Sequence, residues 1–271
     1  MNSLKLWRPR KFADIVGAVN QPSVHRLQAA AKQRRLLKGI LLGPYGTVKT
    51  SIARLLLKSY LCKNPDPVTA DPCHLCDHCK NANADHNGEW FNYQYWELDC
   101  TQKDVNREYI SGIISQVGSG LFPPFMVCDE LQRMHERSAQ ESLLKFTEDL
   151  EQGVVLGVVM TETNGDANRP VRVLPSLFER LSKFYFAVPE IEEFVEFFHL
   201  RMPEWEIEGA EADIQEMVVR SERSFRTCFD VLEEARQNNS GRLNHKVIDD
   251  LLPKTKRSIN EWINPFTDDE D

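Results

Sequence analysis

Residues 43–50 read Gly43-Pro44-Tyr45-Gly46-Thr47-Val48-Lys49-Thr50. They stand between a short apolar run, 39–42, and a stretch of helical periodicity through Ile52, Leu55, Leu56 and Leu57. A strand entering a glycine loop that opens at once into a helix is the setting in which a phosphate-binding loop has physical meaning. Backbone N–H groups of the loop and of the helix start cradle phosphate, a lysine neutralises the β and γ oxygens, and a hydroxyl serves magnesium. Gly43, Pro44, Gly46 and Thr47 form the loop here, Lys49 and Thr50 take the two polar places, and Ser51 follows. The place before the lysine ordinarily belongs to glycine, but this chain has Val48. Valine is stiff at its first torsion and bulky at Cβ. A left-handed backbone would therefore be costly there, while ordinary helical angles would crowd the β-phosphate.

The matching acidic motif is Phe125-Met126-Val127-Cys128-Asp129-Glu130, four apolar residues of a buried strand followed by two carboxylates. Asp129 at the strand end is placed to orient magnesium, and Glu130 to polarise an attacking water. Around the two motifs, apolar runs at 93–100, 154–160 and 183–188 read as further strands. Helical periodicity is expected over 21–37, 51–61, 105–117 and 138–149. Alternation of this kind argues for an α/β fold on a parallel sheet. After Pro189 the pattern turns wholly helical, with stripes Ile191/Phe194/Val195/Phe198, Ile214/Met217/Val218 and Phe225/Cys228/Phe229/Leu232. The expected organisation is a nucleotide-binding domain over 1–189, an all-helical domain over 190–252 and an acidic tail over 253–271.

Four of the seven cysteines fall in one segment as Cys62-x10-Cys73-x2-Cys76-x2-Cys79. With no secretory signal at the start, that clustering favours metal over disulfides. Close Cys-x2-Cys spacing lets thiolates converge on one tetrahedral zinc ion, and four thiolates leave no open position, so the site is expected to be structural. His74 and His78 lie between these ligands as alternatives, read as outward-facing neighbours. Cys100, Cys128 and Cys228 read as small core residues. A net charge of −8 over 271 residues gives no global basic field, which leaves DNA contact open rather than excluded. No apolar run reaches the length of a membrane span, so no membrane partner and a cytoplasmic location are expected.

Two further stretches make a resemblance specific. Trp7-Arg-Pro-Arg-Lys-Phe-Ala-Asp-Ile-Val16-Gly17 resembles the adenine-flanking signature of clamp-loader ATPases, and 138–148 resembles the helix after their acidic motif. In order and content the chain resembles the AAA+ clamp-loader ATPases, most of all the gamma/tau subunit of the bacterial replicative polymerase, from about residue 6 to about residue 235. The resemblance implies a P-loop AAA+ core with an inserted zinc module at 62–79 and a small helical lid. It also implies ATP, Mg2+ and Zn2+ as cofactors, and other AAA+ subunits, DNA and a sliding clamp or polymerase as partners. Residue by residue, it places Val16 among the nucleotide contacts and makes Thr161 a γ-phosphate sensor. Arg180 becomes the arginine that enters a neighbour's ATP site, although its flanking Glu179 and Leu181 depart from the family's Ser and Cys. Arg226 becomes the lid arginine that reports nucleotide. The family's third, helical collar domain has no room before residue 271; either another protein supplies assembly or the chain is a truncated or compact relative.

The resulting expectation is an ATPase subunit that assembles on DNA and loads or remodels a replication partner. Two alternatives stand beside it. One is a weakly hydrolysing nucleotide-binding scaffold, suggested by Val48; the other is an AAA+ regulator in a transposition or defence system.

Overall fold

The apolar runs of the sequence become neighbouring strands. The computed structural model describes residues 8–34, 37–81, 88–90, 93–117, 125–149, 154–160 and 172–252. Its strands are β1 (Lys38–Gly43), β2 (Gly88–Trp90), β3 (Tyr93–Asp99), β4 (Phe125–Asp129), β5 (Val154–Met160) and β6 (Ser182–Tyr185). They form one sheet in the order β2-β3-β4-β5-β1-β6. All neighbours run parallel except β2, which pairs antiparallel with β3 at one edge. The expected parallel α/β sheet is what the chain forms.

Strand alternation assigns the core. Leu41, Phe125, Val127 and Phe184 lie with buried residues of α1 (Gln21–Lys32) and α2 (Lys49–Leu61), among them Leu27, Ile52 and Leu56. Ile40, Leu42, Met126 and Cys128 pack with Ile110, Leu143, Phe146 and Leu177. These come from α4 (Arg107–Val117), α5 (Arg137–Asp149) and α6 (Pro175–Arg180). The sheet is thus buried on both faces, as parallel strands require.

Several elements differ from the sequence expectation. The first helix stops at Lys32 rather than 37, because Arg34 takes a left-handed backbone (φ 48) and Leu37 is already buried ahead of β1. The helix expected from 105 begins at Arg107, while Val105 is buried in the core beside it. The last strand ends at Tyr185, although Phe186 N still donates to Leu42 O at 2.7 Å. The cysteine-rich segment, expected as loop, contains α3 (Asp77–Asn81).

The chain divides into two units. One comprises Pro9–Ile15 and Val19–Ala187; the other comprises Val16–Ala18 and, among the described residues, 8 and 188–252. The second unit is helical: α7 (Ile191–Arg201), α8 (Glu211–Arg220), α9 (Phe225–Asn238) and α10 (His245–Leu251). Its core is aromatic, with Phe194 and Phe225 rings 4.2 Å apart and Phe198 edge-on to Phe229 at 5.8 Å. Ser224 and Asn244 cap α9 and α10 by accepting from Thr227 N and Val247 N. Each cap satisfies one of the N–H groups a helix start leaves orphaned.

Candidate nucleotide-binding site and metal centre

The site begins where β1 ends. Gly43 runs so close to the segment after β6 that a Cβ on it would meet Phe186 O at 2.1 Å, so only glycine fits. The loop then turns through Gly46 (φ 82), and Val48 takes a left-handed backbone, φ 51 and ψ 22, as the residue capping α2. Val48 makes no side-chain cap bond to the start of α2, and a helix start without such a cap can hold an anion through its first N–H groups.

Lys49 is buried (5% exposed). Its ammonium donates to Gly43 O at 2.7 Å, to Thr47 Oγ1 at 3.1 Å and to Pro44 O. Burial lowers its pKa to about 8, against the opposing pull of the Glu130 and Asp129 carboxylates. Thr47 Oγ1 donates to Pro44 O at 2.8 Å and so closes the loop on itself. Thr50 Oγ1 donates to Asp129 Oδ2 at 3.1 Å, linking the loop to the acidic strand end across the sheet. Burial raises the Asp129 carboxyl, while the Thr50 hydroxyl bond opposes the rise. Burial likewise raises Glu130, and the adjacent Asp129 charge adds to it.

β5 lies between β1 and β4, so the loop and the acidic pair hang from strands that are not neighbours. In register, Met160 stands beside Gly43 and Gly157 beside Cys128. Thr161, the residue after β5, lies outside the described residues. Lys49, Thr50, Asp129 and Glu130 are therefore brought together. Ser51 follows on the first turn of α2.

The remaining candidates lie outside these two motifs in the sequence. Arg180, at the end of α6, is exposed; its guanidinium pairs with Glu148 at 2.6 Å and donates to Ser176 O at 3.1 Å. Arg226, on the first turn of α9, and Val16 belong to the helical unit. A pair that the sequence reading did not single out lies beside the acidic motif. Arg54, one turn beyond Thr50, makes a bidentate contact with Glu97 of β3, with Nε to Oε2 at 2.8 Å. Glu97 pushes the Asp129 carboxyl up and Arg54 holds it down. Linking positions 43 apart, the pair left no local spacing to read.

The cysteine module converges as expected. The sulfurs of Cys62, Cys73, Cys76 and Cys79 all lie within 4.8 Å of one another, with Cys73 and Cys79 at 4.0 Å. Tetrahedral zinc with Zn–S bonds near 2.3 Å needs sulfurs about 3.8 Å apart, so this donor set fits the ion. Backbone N–H groups of Cys73, Cys76 and Cys79 point at the sulfurs of Cys62, Cys73 and Cys76 at 3.2, 3.4 and 3.5 Å. Such donors stabilise thiolate, and Cys76 and Leu75 N–H groups bring Cys73 down to about 6. His74 and His78 are engaged elsewhere: His74 Nε2 donates to Arg10 O at 2.8 Å, and His78 Nδ1 to Leu61 O at 2.7 Å.

A second group of metal-type donors, Glu216, His245 and Asp249, has a different geometry. His245 meets Glu216 through Nδ1 at 2.8 Å and Asp249 through Nε2 at 3.1 Å. Carboxylates on opposite ring nitrogens cannot share one ion with that ring. The buried Arg220 bridges the same carboxylates at 2.8 and 2.7 Å, which makes the group a salt-bridge ring.

A family model described as DNA polymerase III, delta subunit, matches residues 19–187. The chain is 26% identical over 250 residues to the DNA polymerase III subunit gamma of Buchnera aphidicola (subsp. Acyrthosiphon pisum), covering 91% of this chain and 64% of that protein. It is 24% identical over 253 residues to the Escherichia coli subunit tau, covering 91% and 36%. The chain thus spans about two thirds of the first relative and about a third of the second. Among solved structures it is similar to the Thermotoga maritima RuvB Holliday junction branch migration motor, with a TM-score of 0.61 at 15% identity over 90% of this chain and 72% of that one. At that identity the likeness shows the fold, a P-loop AAA+ core. No described helix is long and apolar enough to cross a membrane.

Proposed function

Because this chain belongs to the family described as DNA polymerase III, delta subunit, we propose that it is a clamp-loader-type AAA+ ATPase subunit that binds ATP with magnesium at the β1–α2 loop. The observation that carries this is the Thr50–Asp129 contact at 3.1 Å, which brings the loop and the acidic pair into one site. Lys49 and the first N–H groups of α2 hold the phosphates, and Thr50 and Asp129 hold magnesium. When bound, the metal draws negative charge from the phosphate oxygens. Glu130 takes a proton from water; its burial beside Asp129 raises its proton affinity in the direction a base requires. Thr161 senses the γ-phosphate, Val16 is among the nucleotide contacts, and Arg226 reports nucleotide to a lid over 190–252. The four cysteines hold one structural zinc. The subunit assembles with other AAA+ subunits on DNA and there loads or remodels a replication partner.

The test is calorimetric titration with a non-hydrolysable ATP analogue and magnesium, with turnover measured alongside. Saturable, magnesium-dependent binding that Lys49→Ala abolishes is expected; no binding to the unaltered chain would remove the proposal. One observation favours a second reading, a scaffold subunit that binds nucleotide but hydrolyses it weakly: the left-handed backbone of Val48. Tight binding with negligible turnover under assembling conditions would select it.

A further inference from the structure

The turn that follows β4 holds a residue the phosphate motifs leave unused. Glu130 has a left-handed backbone, φ 56 and ψ 39, and caps a short 3-10 turn over Leu131–Arg133. That turn folds Gln132 back onto the Glu130 carboxylate, where Nε2 donates to Oε2 at 2.8 Å. Arg133 stands farther from the same oxygen, at 3.5 Å, and its side chain is 61% exposed. Gln132 is buried, and its Oε1 meets no donor among the described residues. Buried amide oxygens in folded proteins almost always have a donor. This one belongs to the same planar group that holds Glu130.

We propose that Gln132 is the positioning residue of Glu130, fixing the carboxylate with one end of its amide and offering a second acceptor with the other. The inference rests on the reading of Glu130 as the group that polarises the attacking water. A water has two hydrogens. The Glu130 carboxylate accepts a hydrogen bond from one and removes that proton, while Gln132 Oε1 only accepts a hydrogen bond from the other, which leaves a lone pair of the water oxygen directed away from both, as a nucleophile requires. Arg133 cannot substitute, because a guanidinium has donors and no acceptor.

The test uses the full chain with 15N-labelled glutamine side chains and the Gln132 amide signal assigned by its loss in Gln132→Ala. The Gln132 amide protons are expected to move when the carboxylate charge is removed in Glu130→Gln; an unchanged signal overturns the proposal. In turnover, Gln132→Ala is expected to lower kcat about 10- to 100-fold, the usual cost of losing a group that orients a reacting one. Affinity for the ATP analogue should stay within about twofold. Gln132→His, which keeps a donor and an acceptor on one planar group, should recover part of the loss. Unchanged kcat, or equal losses in affinity and turnover, overturns the positioning role. Absence of turnover in the unaltered chain defeats the ATPase reading, and the amide signal then decides by itself whether Gln132 holds Glu130.

Discussion

At Val48 the chain keeps a β-branched residue in a backbone region that favours glycine, φ 51 and ψ 22. The sequence left two backbones open for this residue, and the left-handed one is adopted, with Val48 O accepting from Ile52 N at 3.0 Å and the side chain packed against the core. A side chain in that region costs about 1–2 kcal/mol, which lowers the share of molecules whose loop is ready for phosphate. Val48→Gly is therefore expected to tighten binding of an ATP analogue by at most about 5- to 30-fold, the same strain written as a ratio, and to raise turnover. Equal affinity and turnover in both proteins would mean the loop absorbs valine without cost. Lys49 gives a second prediction. Its pKa is lowered to about 8, so the free protein loses this charge as pH rises through that value. Phosphate favours the charged form, so binding at pH 8 should take up about half a proton per chain, with affinity falling toward pH 9. Calorimetry in buffers of different ionisation heat measures the uptake; none at pH 8 would mean Lys49 is already fully charged. The sign for folding is opposite: the unfolded chain holds this proton to higher pH, so Lys49 adds stability as pH rises from 8 toward 10.5.

Among the elements, the cysteine module is the one most dependent on a ligand that the proposed function includes. The purified protein is expected to hold one zinc per chain by elemental analysis, provided it has never met a chelator. His74→Ala and His78→Ala should keep the full equivalent, because both rings are bonded to backbone carbonyls. Cys76→Ser should lose zinc and lower the thermal midpoint, yet still bind nucleotide, since no cysteine of the module touches Lys49, Thr50 or Asp129. Loss of zinc in either histidine variant would show that a ring nitrogen is a ligand. Elements with a full period of pattern were legible in the sequence: β4 and β5 as apolar runs, α2 and α5 as helical stripes. Those too short to repeat the pattern were not. β2 has three residues, α3 five and α6 six, too few for alternation or a helical face to stand out. The overrun of the first helix has another cause: its apolar spacing continues into Leu37, and only the left-handed turn at Arg34 separates helix from strand.

For the whole molecule, Arg180 is expected to act between subunits. Its exposed pair with Glu148 at 2.6 Å is of the kind worth about 0–1 kcal/mol, cheap to exchange for a phosphate in a neighbouring subunit. Glu130→Gln should bind ATP without turning it over, and Arg180→Ala should lose turnover only where subunits assemble. Mixing the two should restore part of the rate, since each supplies at some interfaces what the other lacks. Turnover by Arg180→Ala equal to the unaltered protein under assembling conditions would sink the trans role. The parts of the site that were legible are those written in consecutive residues, 43–51 and 129–130. Gln132 and the Arg54–Glu97 pair were not, because their meaning depends on a turn that folds back and on a helix brought against a distant strand. The same sheet order sets a tolerance. β5 is the spacer between β1, which leads into the loop before Lys49, and β4, which ends in Asp129. It works like the gauge between two rails: the distance from loop to carboxylate is fixed by a strand that carries neither. In a map of every single substitution against nucleotide binding, positions 154–160 should therefore score with the phosphate loop, and the edge strand β2 should not.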